Sequence, residues 1–157
     1  VPGKTGDDRK VLPSKKQSVS LKNDLNEIKR LATEIDCFCR KFNLNAKITH
    51  DAHLVLEEVV TNSISYGFED AELHTIEVTM ELDEMVLRII VRDDGRPFNP
   101  LDAPPPDLEK PLEEREIGGL GIFLIRKFMD EVSYERDGSF NVLTMKKIIH
   151  TEDIGAV

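Results

Sequence analysis

Ile76, Val78, Met80 and Leu82 alternate with Glu77, Thr79 and Glu81, the period-two pattern of a strand with one buried face. Leu87, Ile89 and Val91 then repeat the alternation. The acidic Asp83-Glu84 step between the two runs predicts an antiparallel hairpin with a turn of two or three residues. Upstream the period lengthens. Leu25, Ile28, Leu31, Ala32, Ile35, Phe38 and Phe42 form a helical stripe, with Asn23 or Asp24 as its N-cap and Asn43 to Asn45 as its stop. A second helix is predicted from Thr49 to Tyr66, burying Ala52, Val55, Leu56, Val59 and Val60 and ending at Gly67 as a C-cap glycine would. A short strand near Gln17 to Leu21 precedes both helices. Downstream, Ile122, Ile125, Phe128 and Met129 line a third helix, and strands follow at Glu131 to Arg136 and Phe140 to Ile148 around an Asp137-Gly138 turn.

Between the hairpin and the third helix lies a loop from Asn99 to Ile117, rich in proline (Pro100, Pro104, Pro105, Pro106, Pro111). A loop that long inside a compact domain is usually functional or disordered. Residues 1–14 read as a flexible arm, 15–148 as one domain and 149–157 as a fraying tail. The elements predict an α/β (α+β) two-layer sandwich: a mixed, mostly antiparallel sheet with about three helices on one face.

At 157 residues, 39% hydrophobic and 32% charged, the chain has the composition of a soluble globular protein. It contains no apolar run approaching the ~18 residues of a membrane span and no signal-peptide pattern. The first residue is Val, so the start is processed, trimmed or cut from a longer chain. A net charge of −9 argues against direct nucleic-acid or anionic-membrane binding and permits a basic protein partner. Cys37 and Cys39, two apart on a helix, point to nearly opposite sides and suit a reducing, cytoplasmic setting. The histidines His50, His53, His74 and His150 are scattered and predict no metal quartet.

Glu58 and Asn62 change the picture. They form an i, i+4 pair flanking the apolar stripe of the second helix, where a carboxylate can accept a proton and a carboxamide can lend a neutral oxygen. Taken alone, the pair reads first as what a solvated amphipathic helix carries. Two further motifs follow: Asp93-Asp94-Gly95-Arg96-Pro97-Phe98 at a strand end, and Gly118-Gly119-Leu120-Gly121 opening a helix. In this order, Glu58-Val59-Val60-Thr61-Asn62, the Asp93 motif and the glycine motif resemble the N, G1 and G2 boxes of the GHKL (Bergerat-fold) ATPases. The similarity is greatest to the branch of anti-sigma-factor serine/threonine kinases. It extends through Asn141-Val142-Leu143-Thr144-Met145-Lys146-Lys147, which is similar to that branch's closing strand, and covers about residues 15–148.

The resemblance implies binding of ATP with Mg²⁺. Asp93 would accept the adenine amino group, and Gly95 would let the backbone approach the base. Asn62 would lend its oxygen to Mg²⁺, and Gly118, Gly119, Leu120 and Gly121 would cradle phosphate at a helix N-terminus. Thr144 would lie beside the adenine, or else be a β-branched residue that suits a strand. Glu58 would be the general base, or an acid orienting a magnesium-bound water. Arg115 would neutralise the γ-phosphate from the lid, or be a solvated charge among Glu113, Glu114 and Glu116. Family members with a lid arginine often carry it nearer the glycines, where this chain has Ile117.

By the same resemblance the activity would be phosphorylation of a STAS-type anti-sigma-factor antagonist, with sequestration of a sigma factor and a homodimer as family expectations. The alternative from another class is an ATP-binding regulatory module that switches partner affinity without phosphotransfer. It would need Asn62, Asp93 and the glycines but not Glu58. A sensor histidine kinase domain fits less well, since His50 and His53 lie too close to the N box to be phosphoacceptors.

Overall fold

The computed structural model describes residues 15–104, 107–111, 113 and 119–155. The expected N-terminal arm therefore lies outside the described residues, as do Arg115 and Gly118 of the proposed site. The element order is β1 (Lys16–Lys22), α1 (Glu27–Lys41), α2 (Ala46–Tyr66), β2 (Thr75–Asp83), β3 (Val86–Asp93), α3 (Gly119–Phe128), β4 (Glu131–Asp137) and β5 (Phe140–Ile148). The five strands form one sheet in the order β1-β2-β3-β5-β4, and all four pairings are antiparallel. The expected largely antiparallel sheet thus contains no parallel pair among the described residues. The three α-helices pack on one face.

The apolar periods account for these layers. Ile76, Val78, Met80 and Leu82 of β2 and Leu87, Ile89 and Val91 of β3 are all buried. They meet Leu31, Ile35 and Phe38 of α1 and Val55, Leu56 and Val60 of α2, each fully buried. Each such side chain contributes about 1.5–3 kcal/mol relative to exposure. Cys39 joins this core while Cys37 is exposed, as their spacing requires. No described helix is long and apolar enough to cross a membrane.

Helix ends differ from the sequence reading in instructive ways. α1 begins at Glu27 rather than beside Asn23 or Asp24, because the Asp24 carboxylate accepts the Asn26 N–H at 2.8 Å and closes an Asx turn first. Asn23 is drawn away, donating to the Glu72 carbonyl and accepting the His74 N–H. At the other end Asn43 is left-handed (φ 54°), and Leu44 N–H donates to the Cys39 carbonyl at 2.9 Å, a Schellman closure. Asn45 then caps α2, its side-chain oxygen accepting the Ile48 N–H at 2.9 Å. Gly67 ends α2 with φ −79°, so it is no left-handed cap. A Cβ there would lie 2.5 Å from the Ser63 carbonyl oxygen, which is why glycine fits.

The C-terminal segment expected to fray is docked through Gly155. Asn45 N–H donates to the Asp153 carbonyl and Gly155 N–H to the Asn43 carbonyl, both at 2.7 Å, while Leu44 and Ile154 form an isolated β-bridge. Asp51 of α2, also buried, pairs at 3.2 Å with Lys147 of β5, whose ammonium donates to the Phe128 carbonyl at the end of α3.

Candidate active site

Helix α2 presents Glu58 and Asn62 one turn apart, both half-buried. Facing them is the first turn of α3. A Cβ built on Gly121 would stand 3.0 Å from Asn62 Nδ2 and 3.4 Å from Glu58 Oε2. The bare backbone at Gly121 is therefore what allows α3 to abut both polar side chains. Two motifs separated by some sixty residues of sequence meet here.

Asp93 lies deeper, at the end of β3 and 7% exposed. Its Oδ1 accepts the Gly95 N–H at 2.9 Å and Asn141 Nδ2 at 3.0 Å, while Oδ2 accepts the Ser63 hydroxyl at 3.2 Å. A carboxylate accepts only, and these donors on both oxygens fix its plane. Beside it opens a cavity of about 370 Å³, walled by Val59, Val91, Ile122, Ile125 and Leu143 and reached by Asn62, Tyr66 and Phe98. A flat apolar body with one polar edge suits such a space.

Within the protein, Gly95 makes a close approach of its own. A Cβ there would fall 2.7 Å from the Gly67 carbonyl oxygen and 2.8 Å from Asp93 Oδ1. Arg96 N–H donates to the same Gly67 carbonyl at 2.8 Å. The Asp93 loop is thereby fastened to the end of the helix that carries Glu58 and Asn62.

Thr144 does not enter the cleft, contrary to expectation. On β5 the core face carries Asn141, Leu143 and Met145, so alternation turns Thr144 outward between Ile90 of β3 and Ser133 of β4. Asn141 takes the place expected for it, donating to Asp93 and to the Arg96 carbonyl at 2.9 Å. A polar residue in phase with Leu143 and Met145 was the signal for Asn141. Ser63, the neighbour of Asn62, had none. Gly119 opens α3 as expected, whereas the Leu120 side chain lies outside the described ones.

The outer flank of the Asp93 loop is held by His74, whose Nδ1 lies 3.1 Å from Asp94 and whose Nε2 lies 2.6 Å from Asp70. The hydrogen bond to Asp70 raises the His74 pKa above its ordinary value; burial opposes it to a lesser extent, and the hydrogen bond to Asp94 adds to the rise. The same bond lowers the pKa of Asp70.

A two-layer sandwich with this cleft defines a nucleotide-binding type of domain, and comparison with known proteins specifies it. Residues 21–147 match the histidine kinase-like ATPase domain, and the chain belongs to that family, in the branch of the anti-sigma serine-protein kinases. It is 28% identical over 101 residues to the serine/threonine-protein kinase BtrW of Bordetella bronchiseptica, covering 64% of this chain and 71% of that one. It is 31% identical over 109 residues to the serine-protein kinase RsbW of Halalkalibacterium halodurans (66% and 65%). To the anti-sigma F factor of Clostridium novyi it is 32% identical over 108 residues (62% and 70%). The match thus spans about two-thirds of the length of these relatives. Among solved structures, the RsbU and RsbW domains of Rv1364c from Mycobacterium tuberculosis align with a TM-score of 0.62 at 12% identity, over 85% of this chain and 32% of that one. The catalytic domain of histidine kinase ThkA aligns with 0.52 at 20% identity (87% and 99%). At these identities the structures establish a shared fold.

Proposed function

We propose that this chain is an ATP-dependent protein serine/threonine kinase of the anti-sigma type. It phosphorylates a STAS-type anti-sigma-factor antagonist and binds a sigma factor in the cytoplasm. The observation that carries this reading is the meeting of Glu58, Asn62 and Gly121 beside an apolar cavity lined by Asp93. The naming of curated relatives as serine-protein kinases and an anti-sigma factor supports it.

In this reading Asp93 accepts a hydrogen bond from the adenine amino group and repels a carbonyl at the same position. The aliphatic walls take the ring. Glu58 accepts the proton of the attacking hydroxyl as its oxygen bonds to the γ-phosphorus and ADP departs. Asn62 would hold Mg²⁺, which favours one or two protein oxygens with phosphate and water. The described residues fit that modest demand, since the oxygen-bearing side chains of Asn62 and Glu58 meet at Gly121. Bound there, the ion would neutralise phosphate charge. The sheet face turned away from the helices is where a second copy would dock to form a homodimer.

Intact-mass spectrometry of STAS-domain proteins incubated with the chain and Mg-ATP tests the reading. A partner gains one phosphate, and Glu58→Ala slows the gain by about 100-fold or more. Unchanged transfer by Glu58→Ala sinks the general base. ATP binding without transfer, with partner affinity that differs between ATP and ADP, replaces the kinase by a nucleotide-gated binding module.

A further inference from the structure

We propose that Tyr134 is a positioning residue for purine selectivity, acting through the Asn141 amide to hold the Asp93 carboxylate that reads the base. The inference rests on the nucleotide reading above and deepens it.

Tyr134 lies on β4 opposite Leu143, one diagonal step from Asn141 on β5. An aromatic side chain spans that distance across a sheet. Its hydroxyl donates to Asn141 Oδ1 at 2.7 Å, the shortest contact this amide makes. The same oxygen accepts the Phe98 N–H at 3.3 Å. Asn141 Nδ2 donates to Asp93 Oδ1 at 3.0 Å and to the Arg96 carbonyl at 2.9 Å, with the Gly95 carbonyl at 3.5 Å.

Only one orientation of the amide satisfies these neighbours. Turned over, its oxygen would face Asp93 Oδ1 and the Arg96 carbonyl, all acceptors, and its NH₂ would face the Phe98 N–H, a donor. The hydroxyl thus donates to the amide and the amide to the carboxylate, an alignment in one direction that polarises each successive bond. Its effect on Asp93 is specific. Oδ1 is filled by Gly95 N–H and Asn141, leaving Oδ2, which among the described residues accepts from Ser63 alone, as the oxygen with accepting capacity to spare. Deleting the Tyr134 hydroxyl leaves Asn141 Oδ1 with the longer Phe98 bond alone and frees the amide to rock. The loss falls on a base that donates an amine to Asp93. A base that presents a carbonyl there has no such bond to lose.

The experiment measures calorimetric Kd values for ATP and for inosine triphosphate, which carries a carbonyl in place of the adenine amine. Tyr134→Phe removes one oxygen and keeps the ring. It lowers the ATP preference by about tenfold, with affinity for inosine triphosphate changing less than about twofold. Asn141→Leu lowers the preference further, and adding Tyr134→Phe to it changes nothing more, because the hydroxyl acts through the amide. Equal weakening of both nucleotides by Tyr134→Phe, or a full additional effect in the Asn141→Leu background, would overturn the proposal and reduce Tyr134 to a packing residue. Unmodified protein with no ATP preference would instead overturn the reading of Asp93, and the relay with it.

Discussion

The Lys147 ammonium lies 3.2 Å from Asp51 and donates to the Phe128 carbonyl at 2.7 Å, joining β5, α2 and the end of α3. Both side chains are nearly buried. Lys147→Met keeps the aliphatic stem but strands a buried carboxylate, and is expected to cost about 3–5 kcal/mol in urea unfolding. Asp51→Leu added to it recovers most of that loss. Gly121→Ala should separate stability from activity. Alanine favours the helix by up to about 1 kcal/mol, yet its Cβ would crowd Asn62 Nδ2 at 3.0 Å. The expected outcome is an unchanged or raised melting temperature with slower phosphotransfer. A variant that loses both together would mean Gly121 serves only the fold.

The β2–β3 hairpin turns through Glu84 and Met85 at φ 42° and 69°, conformations that Asn-Gly adopts readily and these residues do not. Replacing the pair by Asn-Gly should stabilise the protein by about 1–2 kcal/mol, read from denaturant midpoints. A change below the error of measurement would show that the Ile149 N–H, which donates to the Met85 carbonyl at 2.7 Å, depends on the original turn. The segment from Gly67 to His74 is fastened differently. Both His74 nitrogens face carboxylate oxygens, so only the doubly protonated ring donates to both. Since its folded pKa is raised, its contribution is complete below the ordinary value of 6.5 and is lost as pH climbs through the folded value. Asp70, with a lowered pKa, contributes above the ordinary carboxylate range and loses that contribution as pH falls through its folded value. The stability gap between the protein and His74→Gln should therefore narrow as pH rises from 6.5. A constant gap would mean the ring is held by its stacking on Phe68. Strands and helix faces were legible because burial enforces their period. Helix starts were not, because Asp24 had two local bonds open to it and periodicity cannot choose between a cap and an Asx turn.

At the scale of the whole molecule, the docked C-terminal segment closes the fold against the start of α2. Removing residues 149–157 takes away buried Ile149, the Asp153 contacts and the Leu44–Ile154 bridge. A loss of about 3 kcal/mol is expected, with faster hydrogen exchange at the Asn45 amide, whose acceptor is the Asp153 carbonyl. Undisturbed exchange there would mean that α2 is capped adequately by Asn45 itself. This docking was invisible in sequence: its bonds are mostly backbone to backbone, which any residue can make. The site was half legible. Glu58, Asn62 and Asp93 stood out as polar residues beside apolar periods. Asn141 was masked by the neighbouring Thr144, although the strand's alternation distinguishes them. The reason for Gly95 emerged only when Gly67 was found against it.

The saturation of Asp93 Oδ1 has a consequence for inhibitor chemistry. A competitor for the cleft gains from one N–H donor aimed at Oδ2 and from a flat apolar ring filling about 370 Å³ between the aliphatic walls. A second donor directed at Oδ1 would have to displace Gly95 N–H or the Asn141 amide and so brings little. If Asp93 reads the base as proposed, aminoheterocycles with a single exocyclic donor and no adjacent one are the scaffolds expected to suit this cleft.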